Sequence, residues 1–449
     1  MIRFICILIF FLALLRFYWS KDFSNKNLSF HLLSSMIQSM MVLPIILFQV
    51  KIPEREKGWL DFNTSYETSM GILYTTIVAL VILLLRKEMN FWRFSSIKYG
   101  FLYFVIAFTY SYLTPINFSK EAVTIALMMM SQILIAVYVC RKCFTVETFL
   151  RASYDAFKII IIVEFVISFT YVVLDIDWLQ KIFYDDADNV FASLREGTQF
   201  RMAAGTTMQH NRLGALCAFI CIFYWACVLC NYNRKNSWLL FSLSFFVLVL
   251  SESRGAILGS LFTIVILFLF KQQKLHLLSL RKVLISSFCI SVLCLLFFSL
   301  GIVQDMFFNS NSDEMQDYRL IHYLMAYDII SENKAWGCGI NSVTYSLFRL
   351  PSYGSDFFNN QPIHNIHLII FVELGLIGFL GWVYYIISRI RRFLKTPLGN
   401  MNSPIVWYSF LGMLIIASVH GMAEWVYLHA QYQFIFMMFG TMYSSKHSL

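Results

Sequence analysis

Three positions in this sequence pair a reactive side chain with a setting that suits it to chemistry. Arg254 closes a tight turn, Ser251-Glu252-Ser253-Arg254-Gly255-Ala256, between two apolar runs, and stands where the second run begins as a helix. Backbone amides at a helix start and the positive end of its dipole attract anions, and a guanidinium adds a forked partner for phosphate oxygens. The pattern describes a diphosphate site; the alternative is an arginine that snorkels to lipid headgroups or pairs with Glu252. Arg319 is a second cation of this kind, against the ordinary fate of a solvated loop arginine. His364, in His364-Asn365-Ile366-His367-Leu368, lies where a long loop enters an apolar run. Imidazole titrates near neutrality, so a histidine there suits a general base, and the alternative is an interfacial histidine without a chemical role. His367 offers a second histidine close to the first. Glu164 and Glu373 are carboxyl groups inside apolar runs, which makes each a functional suspect or a hydrogen-bonded packing residue.

The elements that must hold these residues follow from composition. Of 449 residues, 59% are hydrophobic, 18% aromatic and only 14% charged, and the mean hydropathy is +0.65. A soluble fold needs far more charge at its water boundary, so the chain is an all-α polytopic membrane protein. The apolar runs are continuous rather than alternating, which excludes a membrane β-barrel. About thirteen spans (12–14) are expected, near 2–18, 28–49, 68–85, 99–113, 121–140, 157–174, 212–231, 237–251, 255–270, 283–303, 365–389, 404–420 and 425–443. The first run lacks a small-residue cleavage site and reads as a retained helix rather than a removed signal. An odd count puts the N-terminus outside and the C-terminus inside, whereas merging or losing one N-terminal span puts both inside. With no repeat or linker, residues 1–449 form a single membrane domain.

The net charge of +9 carries topology rather than nucleic-acid binding. Basic residues gather at Arg86 to Lys98, Arg141 to Arg151, Arg234 and Lys235, Lys271 to Lys282, and Arg389 to Lys395, as cytoplasmic loops should. The segments between them face the other side, including Ser251 to Arg254 and Gly421 to Glu424. Two external loops are long. Asp175 to Met208 carries Arg201 among several charges, and 303–362 is rich in Tyr, Phe and Trp, too aromatic for disorder. Within the second, Leu320, Tyr323, Leu324 and Tyr327 follow helical spacing and predict a short amphipathic helix lying on the membrane domain, with Arg319, His322 and Ala326 sharing a flank. The Cys140/Cys143 and Cys227/Cys230 pairs read as small apolar residues rather than a zinc site. The Asp-x-Asp spellings at 175–177 and 186–188 read as helix-end or solvated acids.

Between residues 207 and 385 the chain resembles the O-antigen ligase and O-antigen polymerase superfamily of bacterial inner-membrane glycosyltransferases. The resemblance rests on His210-Asn211-Arg212-Leu213-Gly214, Ser253-Arg254-Gly255-Ala256, the arginine-containing stretch ending in Trp336-Gly337-Cys338-Gly339, and His364-Asn365 followed by Leu368, Glu373, Gly375 and Gly378. It implies a multi-pass protein with its active site on the periplasmic face, acting on an undecaprenyl-diphosphate-linked oligosaccharide with inversion at the anomeric carbon. By carry-over, Arg254 and Arg319 bind the diphosphate and His364 activates the acceptor hydroxyl, without metal or cofactor. Asn211, His367, Glu373 and Arg201 are further candidates. A polysaccharide chain-length regulator is the partner protein to expect. Polymerase and ligase activities share these motifs, and a non-enzymatic lipid-linked glycan transporter would instead line a central cavity with charge across several helices.

Overall fold

The computed structural model of the chain describes residues 33–39, 50–54, 58–62, 72–79, 120–176, 202–207, 209–275, 279, 281–282, 285, 322–331, 336–344, 346, 362–401 and 403–443. Apart from one antiparallel hairpin, β1 Val50–Glu54 with β2 Gly58–Phe62 in the register Ile52 opposite Leu60, the described elements are helical. The principal helices are α1 Lys120–Cys143, α2 Val146–Val172, α3 His210–Leu229, α4 Arg234–Leu250, α5 Arg254–Lys274, α6 over 322–331, α7 Ile366–Lys395, α8 Pro404–His420 and α9 Ala430–Met442.

Helix α3 is apolar on every face and forms the centre, with α4, α5 and α8 packed around it, because a helix without a polar stripe has no face to offer water. Helix α2 lies against α4, and α9 against α1. Small residues set the closest approaches. A methyl group at Gly412 of α8 would collide with Ile222 of α3 and stand 2.9 Å from Leu267 of α5, so the glycine lets three helices meet. Helix α7 keeps one flank outward: Ile377 is 68% and Tyr384 74% exposed, as suits a lipid-facing stripe.

Four described helices, Ala122–Lys142, His210–Leu229, Arg254–Lys274 and Ile366–Lys395, are long and apolar enough to span a membrane, with Pro404–His420 a shorter apolar one. Helix α8 has the bounds expected of it. The expected span at 425–443 is different: Val426–Leu428 is a separate 3-10 turn and α9 runs only from Ala430, over 13 residues, about 20 Å at ~1.5 Å per residue. Helix α2 begins at Val146, so Arg151 sits in helix, paired with Glu147 at 2.6 Å. The expected spans at 2–18, 99–113 and nearly all of 283–303 lie outside the described residues, as does most of the 303–362 loop.

Basic residues collect at one end of the bundle. Lys274 Nζ donates to the carbonyls of Phe393, Leu394 and Thr396 at 2.6, 2.8 and 2.7 Å, and Lys271 donates to the carbonyl of Leu229. The two lysines of α5 thus cap the C-terminal ends of α7 and α3, whose last carbonyls have no partner within their own helices. Arg392 lies over Trp407 and Tyr443, 5.9 and 5.7 Å from the ring centres. The opposite end holds the starts of α3, α5 and α7 and the turn that follows α8.

Candidate active site

At that opposite end, three sequence motifs from distant parts of the chain meet on the end of α8 and the turn after it, residues 420–429. Asn211, in the first turn of α3, donates to Glu424 Oε1 at 2.6 Å. Gly255, next to Arg254 at the start of α5, faces His420, where an added Cβ would stand 2.7 Å from Cδ2. Ile366, at the start of α7 and two residues after His364, donates its N–H to the carbonyl of Gly421 at 2.8 Å. The 421–429 turn is itself braced by His420 Nδ1 against the Tyr427 hydroxyl at 2.8 Å, and by Gln433 donating to the Tyr427 carbonyl at 2.7 Å. Arg254 and His364 therefore flank one feature, His420–Gly421, and both stand at helix starts where anions are favoured.

The Ser-Arg-Gly-Ala turn is shaped by close packing. Ser251 Oγ donates to the carbonyl of Leu248 at 2.7 Å. A Cβ at Gly214 of α3 would collide with Ser253 Cβ and come 2.8 Å from Ser253 Oγ, which explains the glycine that ends His210-Asn211-Arg212-Leu213-Gly214. Ser253, the cap residue of α5, makes no side-chain bond to the first helical turn, and its buried Oγ has no hydrogen-bond partner among the described residues. The first turn beside Arg254 is thus uncapped by its own cap residue.

His364 is the middle residue of a three-residue turn, closed by Asn365 N–H donating to the Ile363 carbonyl at 2.7 Å. Asn365 Oδ1 then accepts from the N–H groups of His367 and Leu368 at 3.0 and 3.1 Å, so the Asn of the His-Asn pair is the N-cap of α7. The His364 ring meets a residue to which sequence reasoning gave no role: its Nδ1 lies 3.3 Å from His322 Nδ1. Helix α6, which carries His322, turns its other side inward from that expected. His322, Met325, Ala326 and Ile329 are buried, whereas Tyr323, Leu324 and Tyr327 are exposed. The buried flank is the one that also carries Ala326; the aromatic stripe points outward.

His367 is spoken for at both nitrogens. Trp382 donates its indole N–H to Nδ1 at 3.1 Å, and Nε2 lies 2.8 Å from the Ser418 carbonyl. Indole only donates and a carbonyl only accepts, so in this arrangement Nδ1 accepts and Nε2 donates.

Glu373 is fully buried beneath a backbone junction. Gly375 interrupts α7 at φ 65°, ψ −168°, a region open essentially to glycine alone. The carbonyls released at the break are taken up by the Trp-Gly-Cys-Gly segment, with Cys338 N–H donating to Val372 O at 2.8 Å and Gly339 N–H to Glu373 O at 2.9 Å. Gly337, at φ 81°, presses on the same junction, and a Cβ there would stand 2.5 Å from Glu373 O and from Gly375 N. Gly375 thus breaks the helix, and Gly378 makes room for Leu374 across the break. Burial, with the nearby Glu373 carboxyl, pushes the Cys338 thiol up to about 12.

Glu164 likewise holds backbone. It accepts from the Thr206 N–H at 3.0 Å and from the Thr206 hydroxyl, fixing the Gly205–Thr207 turn that runs beside the end of α4 through Ala203 N–H to Leu250 O at 3.0 Å. Arg201 and Arg319 lie outside the described residues.

Sequence reasoning missed the contributions of His322, His420, Glu424 and Tyr427. The signal for His420 and Glu424 was present, as polar residues flanking an apolar run at the external end.

Residues 239–383 match a family model described as O-Antigen ligase, a stretch that holds Arg254, the Trp336–Gly339 segment and His364 through Gly378 but not Asn211. No curated protein matches the chain.

Proposed function

Over residues 239–383 the chain carries the pattern of the O-antigen ligase family, and from that premise we propose that it is a membrane glycosyltransferase acting as a polymerase of O-antigen or a related surface polysaccharide. It moves a glycan from undecaprenyl diphosphate to a sugar hydroxyl of the next lipid-linked repeat unit. Arg254 and Arg319 hold the diphosphate, and His364 removes the proton of the attacking hydroxyl. Attack from the face opposite the leaving group inverts the anomeric carbon. Developing charge on the diphosphate is met by guanidinium groups and by the amides at the start of α5, which carry no bond from the Ser253 side chain.

The observation that carries this reading is the meeting of the α5 and α7 starts at His420 and the turn after it, which brings Arg254 and His364 to one end of the bundle. That end lies opposite Lys271, Lys274 and Arg392. Cationic ends favour the cytoplasm, which supports a site on the periplasmic side of the bacterial inner membrane. His367 is set aside as the base because both its ring nitrogens are engaged.

The family description favours a second reading, transfer of finished glycan to lipid A core. Polymerase is preferred because Tyr323, Tyr327 and Trp336 all point outward, two of them on the helix of His322, and aromatic faces stack on sugar rings. A polymerase must hold glycan on donor and acceptor alike. Purified protein given only lipid-linked repeat units should yield longer lipid-linked chains. Product that forms only when lipid A core is supplied would make it the ligase.

A further inference from the structure

We propose that His322 is a positioning residue for transfer, fixing through its Nδ1 the tautomer and orientation of His364; this rests on the reading of His364 as base. The two rings are parallel within 9°, with centroids 5.2 Å apart, and their Nδ1 atoms are 3.3 Å apart. Neither ring sits on a loose tether. His322 is only 5% exposed, on the flank of α6 that buries Met325, Ala326 and Ile329, while His364 is held between the buried Ile363 and the Asn365 cap.

Two neutral imidazoles that meet through Nδ1 share one hydrogen there, so their tautomers are complementary: one ring carries its proton on Nδ1 and the other on Nε2. For His364 to take a proton at Nε2, its resting form must be Nδ1–H, donating to His322 Nδ1, with His322 in its Nε2–H form. When the acceptor hydroxyl gives its proton to His364 Nε2, its oxygen bonds to the anomeric carbon. The bond from that carbon to phosphate breaks, and the electron pair leaves on the diphosphate. His364 becomes imidazolium, and its bond to His322 becomes charge-assisted at that moment. The arrangement has the logic of a base oriented by a third group. A neutral imidazole serves here without placing a negative charge next to an anionic donor, as a carboxylate would.

The atom in contact gives the test its shape. An Asn amide occupies the place of the His Nδ1, whereas a Gln amide reaches the place of Nε2 and Phe offers no polar atom. Transfer is measured with purified protein and lipid-linked repeat units extracted from cells lacking this chain. His322→Asn should stay within about tenfold of the parent, while His322→Gln and His322→Phe should lose about ten- to a hundredfold in kcat with KM for the lipid-linked donor unchanged. In a His364→Ala background, His322→Phe should add no further loss. Equal activity of the Asn, Gln and Phe variants, a loss carried by KM, or losses that only follow a lowered melting temperature would overturn the assignment. If His364→Ala is inactive while His322→Phe is normal, this inference fails alone; normal transfer by His364→Ala removes the base reading itself.

Discussion

Trp382 donates its indole N–H to Nδ1 of His367 across 3.1 Å, and that bond separates two histidines that the sequence leaves side by side. His364→Ala should abolish transfer. His367→Ala should keep it, at a stability cost of about 1–3 kcal/mol for leaving Trp382 and the Ser418 carbonyl without their partner. Transfer assays on both variants, with thermal unfolding in detergent, check this; an inactive but stable His367→Ala protein would reverse the assignment.

Arg254→Ala should lower transfer about a hundredfold to a thousandfold, the usual worth of one preorganised donor to developing charge, with insertion unchanged. Arg254→Lys should recover little, because an ammonium lacks the forked geometry. Near-normal polymer from the Ala variant would make the Ser251–Ala256 turn purely structural.

Gly337→Ala should cost stability before it costs chemistry. Its Cβ would press on Glu373 O and Gly375 N, and a left-handed backbone at φ 81° adds strain of about 1–3 kcal/mol. The expected result is a lower melting temperature and lower yield, with residual protein still transferring. Unchanged stability would mean that the segment does not rest on the α7 break.

Cys338 should resist thiol reagents in the folded protein. With its pKa pushed up to about 12 by burial and by Glu373, it stays protonated at neutral pH, and only thiolate reacts. The folded state holds this proton where the unfolded chain, at the ordinary thiol value of 9.0, releases it, so stability falls as pH rises from about 9 to about 12. Labelling at pH 7.5 should need denaturant. In a background without other cysteines, Ser352→Cys should label from the periplasmic side with an impermeant reagent; labelling only after the cytoplasmic face is opened would remove the proposed mechanism.

Much of the frame is legible in the sequence because hydropathy reports span length directly. Helix α8 runs from Pro404 to His420 as the apolar run and its Pro start suggest. The following turn is not legible, since Trp425, Val426, Tyr427 and Leu428 read as the start of another span. What ends the helix there is tertiary: Asn211 bound to Glu424 and His420 bound to Tyr427. The side of α6 is misread for a related reason. Aromatic spacing suggests a face seeking a core, yet the core contact is made by Ala326, Met325 and Ile329, while the tyrosines point outward. In a chain this apolar, hydrophobicity alone does not tell inside from outside. The His-Asn pair is visible as a motif, but the cap made by Asn365 and the ring contact to His322 require the fold.

Lys271 and Lys274 give α5 the character of a strut pinned at its foot. Because one lysine grips the end of α3 and the other three carbonyls at the end of α7, the helix that presents Arg254 cannot slide along its axis without pulling on the helix behind His364. These bonds thus oppose a change in the height of the α5 start relative to the foot of α7, each by about 1.5–3 kcal/mol as a hydrogen bond to a charged group.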